Sequence, residues 1–123
     1  MNHSKKKILV IDDEVDLLKL LKKSLDAHSF ECVTAENAVE GLKEAVREKP
    51  DLILLDLMLP KISGLGCLRI LKGNPKLAGI PVVILSALGD EEVAREAMDL
   101  GAIAYLAKTC DPEELITTIR SYA

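Results

Sequence analysis

Short apolar runs alternate with amphipathic stretches along the whole chain. The runs are Lys7–Asp12 (KILVID), Glu31–Ala35 (ECVTA), Asp51–Asp56 (DLILLD), Pro81–Ser86 (PVVILS) and Ile103–Leu106 (IAYL). Three of them are dominated by Ile, Leu and Val with little polar alternation, which is how strands covered on both faces read. Between the runs, apolar positions recur at helical spacing. The spacing predicts a helix over Glu14–Ala27, with Leu17, Leu21 and Leu25 on one face, Leu18 beside them, and Asp12 or Asp13 as the N-cap. A second helix is expected over Ala38–Glu48, capped by Asn37, stopped before Pro50, and burying Leu42, Ala45 and Val46. Leu65–Lys72 is a weaker helix because Gly66 lies inside it. Asp90–Leu100 places Val93, Ala97 and Leu100 on one face, with Gly101 as its stop. Asp111 and Pro112 open a last helix that turns Leu115, Ile116 and Ile119 toward the core.

The result is a strand-helix unit repeated five times. That alternation implies an α/β fold, with a parallel sheet, helices on both faces and right-handed crossovers. In such doubly wound sheets a ligand crevice lies at the carboxyl ends of the strands, at the topological switch point. The residues at those ends are therefore the first candidates for chemistry. The first strand ends in Asp12-Asp13, the third in Asp56 and the fourth in Ser86-Ala87, and the fifth is followed by Lys108. Three carboxylates on one rim repel one another unless a hard cation such as Mg²⁺ sits among them. A lysine and a hydroxyl across the rim suit a phosphoryl group, and a carboxylate can itself be the nucleophile that forms an acyl phosphate. Taken singly, these residues have ordinary explanations as helix caps, solvated acids, a surface lysine and a turn former. Their joint occurrence at four strand ends on one rim favours the chemistry.

Composition narrows the setting. The chain has 123 residues, 49% hydrophobic and 29% charged, the balance of a single globular domain spanning 1–123. A net charge of -4 argues against nucleic acid as the default partner, since phosphate contacts need clustered Lys and Arg. The only basic run, Lys5-Lys6-Lys7, reads as a solvated start. Cys32, Cys67 and Cys110 are odd in number and far apart, and no CxxC accompanies them, so a reduced, cytoplasmic setting is expected. No apolar run approaches the roughly 18 residues of a membrane span, and the first residues carry no apolar signal region.

At these residues the chain resembles the receiver domain of two-component response regulators, over essentially its whole length. The matching stretches are Ile8–Glu14 (ILVIDDE), Asp51–Pro60 (DLILLDLMLP), Gly64, Pro81–Ala87 (PVVILSA), Gly101-Ala102 and Tyr105–Lys108 (YLAK). The resemblance implies a flavodoxin-like three-layer sandwich with strand order 2-1-3-4-5. It implies that Asp56 is the phosphoryl acceptor, and that Asp13, Asp56 and the backbone carbonyl of Met58 hold Mg²⁺ while Asp12 acts through metal-bound water. Lys108 would pair with Asp56 and then with the phosphoryl group, Ser86 would turn its hydroxyl toward the phosphoryl oxygen, and Tyr105 would be the aromatic switch. Pro60 and Gly64 would shape the loop after the acceptor. The implied partners are a histidine kinase or phosphotransfer protein, and a downstream protein at the face of the fourth helix, fifth strand and fifth helix, with no DNA or membrane binding by this chain. Such a domain is a signalling switch that catalyses only its own phosphorylation and dephosphorylation.

Two positions depart from the family pattern. Thr109 follows Lys108 where the family usually has proline after a cis peptide bond. A cis bond before a non-proline residue costs about 2.5–4 kcal/mol, so a trans bond with a shifted loop is expected over a strained cis bond. Ser63 stands where an acid is common before the loop glycine, a change that looks harmless in an exposed turn. Met58 and Leu88 occupy positions that govern attack of water on the acyl phosphate in the family. Both are apolar, and a long-lived phosphoryl state is expected. Two other readings compete. A haloacid dehalogenase type enzyme needs a second acid two residues after the nucleophile, where this chain has Met58. A pseudo-receiver that binds protein without taking phosphate would rest on Thr109 alone. The chain ends just past the last helix, so it is also readable as one part of a longer regulator.

Overall fold

Strand formation follows from burial on both faces. The computed structural model describes residues 5–59, 62–87, 89 and 91–123. Within them lie the strands β1 (Lys7–Ile11), β2 (Glu31–Ala35), β3 (Leu52–Asp56), β4 (Val82–Ser86) and β5 (Ala104–Ala107). The helices are α1 (Val15–Ala27), α2 (Ala38–Glu48), α3 (Gly64–Gly73), α4 (Glu91–Asp99) and α5 (Pro112–Tyr122). All strand pairs are parallel and the order is 2-1-3-4-5, the flavodoxin-like arrangement expected from the resemblance. Every residue of β3 and β4 is buried. Pro60, Leu88 and Asp90, which the sequence reading placed in the loop, at the rim and at a helix start, lie outside the described residues.

Alternation along the strands divides the interior into two cores. Leu9, Ile11, Ile53, Leu55, Val82 and Ile84 pack with α2, α3 and α4. Ile8, Val10, Leu52, Leu54, Val83 and Leu85 pack with α1 and α5, where Leu18, Leu21, Leu25, Leu115, Ile116 and Ile119 meet them. The sheet is therefore a wall with a helical layer on each side. Among the described residues no helix is long and apolar enough to cross a membrane.

The structure corrects several local expectations. Helix α1 starts at Val15, with Glu14 as its N-cap and no side-chain cap; Asp12 and Asp13 do not take that role. Helix α2 buries Ala38, Gly41 and Ala45, while Val46 is 57% exposed. The reason is steric. A Cβ at Gly41 would overlap the Ile11 side chain, so the helix backbone lies directly on β1, and the small-residue face at i, i+3 and i+7 turns inward. Lys7 is not simply solvated. Its ammonium lies 2.9 Å from Glu48 and 3.3 Å from Glu31, because the start of β1 opens between β2 and the end of α2. Ser63 does more than fill a turn: its hydroxyl accepts a hydrogen bond from the Gly66 N–H at 3.1 Å and caps α3. All peptide bonds of the described residues are trans, including Lys108–Thr109.

Gly64 ties α3 to the end of β3. Its N–H donates to the Leu57 carbonyl at 2.9 Å. A Cβ there would overlap the Asp56 carbonyl oxygen and the Leu57 backbone, neither of which can rotate away. Gly64→Ala is expected to lower the free energy of unfolding by about 3 kcal/mol, the upper end of the overpacking range. Gly73→Ala, where a Cβ would meet nothing within 4 Å, is expected to be neutral or mildly stabilising. Urea unfolding of both variants checks the contrast.

Candidate functional site

Parallel strands deliver their last residues to one edge. Asp12 follows β1, Asp56 ends β3, Ser86 ends β4, and Lys108 follows β5. Asp12 and Asp56 are buried, as is Ser86, whereas Asp13 is exposed at the mouth. One oxygen each from Asp12, Asp13 and Asp56 lie within 4.8 Å of one another. The expected acidic cluster is therefore assembled, with Lys108 inside it. The Lys108 ammonium lies 2.9 Å from Asp12 Oδ2, 3.1 Å from Glu14 Oε1 and 3.2 Å from Asp56 Oδ2. The trans bond to Thr109 does not displace the lysine. Its backbone N–H donates to the Ser86 carbonyl at 2.8 Å, extending the β4–β5 ladder by one bond and fixing where the side chain starts.

The remaining oxygens are held by the backbone. Asp12 Oδ1 accepts from the Glu14 N–H at 2.9 Å, and Asp56 Oδ1 accepts from the Met58 N–H at 3.1 Å. Both are acids bonding an N–H two residues on, which closes the loop leaving each strand. The Ser86 hydroxyl donates to the Leu106 carbonyl at 3.4 Å, a long bond near the limit of such geometry. Tyr105 pairs in register with Ile84 and is 49% exposed, so its ring lies outside the core. Met58 is 63% exposed at the rim. Glu14 was quoted in the sequence motif without a role, yet its carboxylate reaches Lys108; the signal was a third acid directly after two strand-end aspartates.

Among the described residues, three carboxylates pair with the one ammonium here and a fourth, Asp13, lies beside them, so their charge does not balance. Burial pushes the Asp12 carboxyl above its ordinary value. The Glu14 N–H and Lys108 oppose that rise, and Asp56 adds to it. For Lys108, burial acts to lower the pKa, but the close approach of Asp12 and Glu14 and the charge of Asp56 outweigh it and hold the ammonium firmly protonated. Asp12 Oδ2 has Lys108 beside it but no well-directed hydrogen bond; it is the one such buried side-chain atom among the described residues. A buried oxygen short of a bond, three convergent carboxylates and excess negative charge are the donor set of a hard divalent cation. The residues fit Mg²⁺.

These shifts have a definite sign. Folded Asp12 holds its proton more tightly than the unfolded chain does, so its ionisation costs stability at neutral pH, and the cost disappears as pH falls through the raised value toward 3.8. In Mg²⁺-free buffer, Asp12→Asn is expected to be more stable than the parent at pH 7. The two proteins should converge below about pH 4. Chemical unfolding at a series of pH values measures this.

Comparisons with known proteins identify the family. The model of the response regulator receiver domain matches residues 8–120. The phosphate regulon transcriptional regulatory protein PhoB of Pseudomonas aeruginosa is 36% identical over 116 residues, which cover 94% of this chain and 51% of that protein. The alkaline phosphatase synthesis transcriptional regulatory protein PhoP of Bacillus subtilis is 36% identical over 116 residues, covering 94% of this chain and 48% of its own length. The chain thus spans about half the length of the curated relatives it matches. A crystal structure of a response regulator receiver domain protein from Clostridium thermocellum superposes with a TM-score of 0.89 at 34% identity, covering 95% of this chain and 93% of that one. The chain belongs to the response regulator receiver domain family of two-component signalling.

Proposed function

We propose that this chain, over residues 1–123, is a working phosphoacceptor switch in the cytoplasm, with Asp56 as the acceptor. The observation that carries the reading is the Lys108 ammonium seated 3.2 Å from Asp56 Oδ2 on a rim shared with Asp12 and Asp13. A carboxylate oxygen of Asp56 attacks the phosphorus of a phosphohistidine presented by a histidine kinase or phosphotransfer protein. The P–N bond breaks, the imidazole leaves with the electron pair and takes up a proton, and Asp56 carries an acyl phosphate. Attack of water on phosphorus later returns the carboxylate and inorganic phosphate. The chain's chemistry is confined to its own phosphorylation and dephosphorylation.

Asp13, Asp56 and the backbone carbonyl of Met58 would hold Mg²⁺, with Asp12 acting through its water. When bound, the ion supplies positive charge where phosphoryl oxygens gather. Lys108 supplies the other part of that charge. Ser86 has a hydroxyl held only by a long bond, so turning it toward a phosphoryl oxygen costs little. Tyr105, already half outside, is the ring that follows it inward. The change is read by a partner protein on the face of α4, β5 and α5. A net charge of -4 supports protein contact over DNA binding as the output of this chain. The exposed, apolar Met58 cannot orient a water, which supports slow loss of the phosphoryl group.

The test is intact mass after incubation with Mg²⁺ and acetyl phosphate. One added phosphoryl group is expected, absent from Asp56→Asn and from protein incubated with chelator. A folded parent that gains nothing, from acetyl phosphate or from a phosphohistidine donor, would overturn the reading in favour of a pseudo-receiver that only binds protein.

A further inference from the structure

Lys108 has three N–H donors and, in this structure, three carboxylates within 3.2 Å, of which Glu14 and Asp56 accept well-directed hydrogen bonds while Asp12 is held by charge. An arriving phosphoryl oxygen competes with these carboxylates for the ammonium. The three are not equally easy to leave. Asp12 is fully buried, and its Oδ2 has no other bond to fall back on. Asp56 is buried too, and in the proposed reaction it carries the phosphoryl group itself. Glu14 is different, because its side chain is 61% exposed and water can take over its oxygens at once. A buried carboxylate stripped of its cation is left with a large desolvation cost, whereas an exposed one loses only a weak ion pair.

From this we propose that Glu14 is a positioning residue that parks one donor of Lys108 in the resting state and releases it as the phosphoryl group arrives. The role rests on Asp56 being phosphorylated. Glu14 is well placed for it. As the N-cap residue of α1 it sits on the loop that its own N–H braces through Asp12 Oδ1, so its carboxylate stands at the mouth beside the lysine. Its side chain makes no cap bond, so it is free of helix duty. Parking keeps the ammonium at the rim when no phosphoryl group is present, and it slows transfer by the strength of one exposed ion pair.

The experiment compares the parent, Glu14→Ala and Asp16→Asn in phosphorylation by acetyl phosphate at saturating Mg²⁺, followed by intact mass over time. Asp16, exposed in the first turn of α1, is the charge control. Glu14→Ala is expected to raise the rate at saturating donor by about two- to fivefold, the range set by an exposed ion pair. The rise should shrink at high salt, and Asp16→Asn should leave the saturating rate unchanged. A purely electrostatic effect on donor binding would lower the half-saturating donor concentration in both variants and leave the saturating rates alone, which overturns the proposal. So does a slower or unchanged Glu14→Ala whose unfolding curve matches the parent. If the parent itself takes no phosphoryl group, the failure lies in the phosphoacceptor reading; if the parent is phosphorylated and Glu14→Ala keeps its rate, the failure lies in parking alone.

Discussion

The Lys108 ammonium, set among the carboxylates of Asp12, Glu14 and Asp56, governs the arrangement of this molecule. Without Lys108, the buried carboxylates of Asp12 and Asp56 would face each other unpaired at one sheet edge. Breaking a buried pair by removing one partner costs several kcal/mol. With the lysine present the cluster is tolerable but still negative, and this residual imbalance is what makes it receptive to a cation. The domain holds this cluster at some cost in stability. The raised carboxyl of Asp12 is the clearest sign of that cost.

The sheet makes the cluster possible. In a parallel sheet every strand ends at the same edge, so residues far apart in sequence converge without a long loop. Asp12, Asp56 and Lys108 each lie at or just past the end of a strand whose register is fixed by its neighbours. Small residues refine the placement. At Gly41 and Gly64 the helical layer comes so close that only hydrogen fits, and at Gly64 the contact is with the backbone of Asp56 and Leu57. The geometry of the loop after β3 therefore depends on a glycine with no catalytic atoms.

Much of this was legible from residue pattern. Strands covered on both faces cannot alternate polar residues, which is why KILVID, DLILLD and PVVILS announced themselves, and why the acids closing the first two of those runs stood out. Helix faces were harder to read. Val46 was expected inside because it is apolar, but the α2 face is chosen by how near the backbone can come to β1, a tertiary fact that local periodicity does not carry. Lys7 read as solvated because its partners Glu31 and Glu48 are distant in sequence. Ser63 read as an incidental replacement of an acid, although serine is among the best N-caps and one follows from its place before Gly64. Glu14 was visible as a letter and invisible as a contact, since its partner lies 94 residues away. Thr109 predicted a trans bond with a shifted loop; the bond is trans, and the backbone bond from Lys108 to Ser86 keeps the lysine in line with β5.

The division of the interior into two cores has a practical side. Each core encloses one buried cysteine: Cys67 lies with α2, α3 and α4, and Cys32 with α1 and α5, where Cys110 packs only partly buried. Burial pushes both thiols up to about 11, so neither offers a thiolate to reagent while its layer is closed. The chain has no tryptophan. Beside the partly buried Cys110, there is one silent thiol on each side of the wall, and the rate at which each becomes reactive is a clock for the opening of the layer that covers it. The two halves of the molecule can thus be timed separately, in the native sequence, without adding a label.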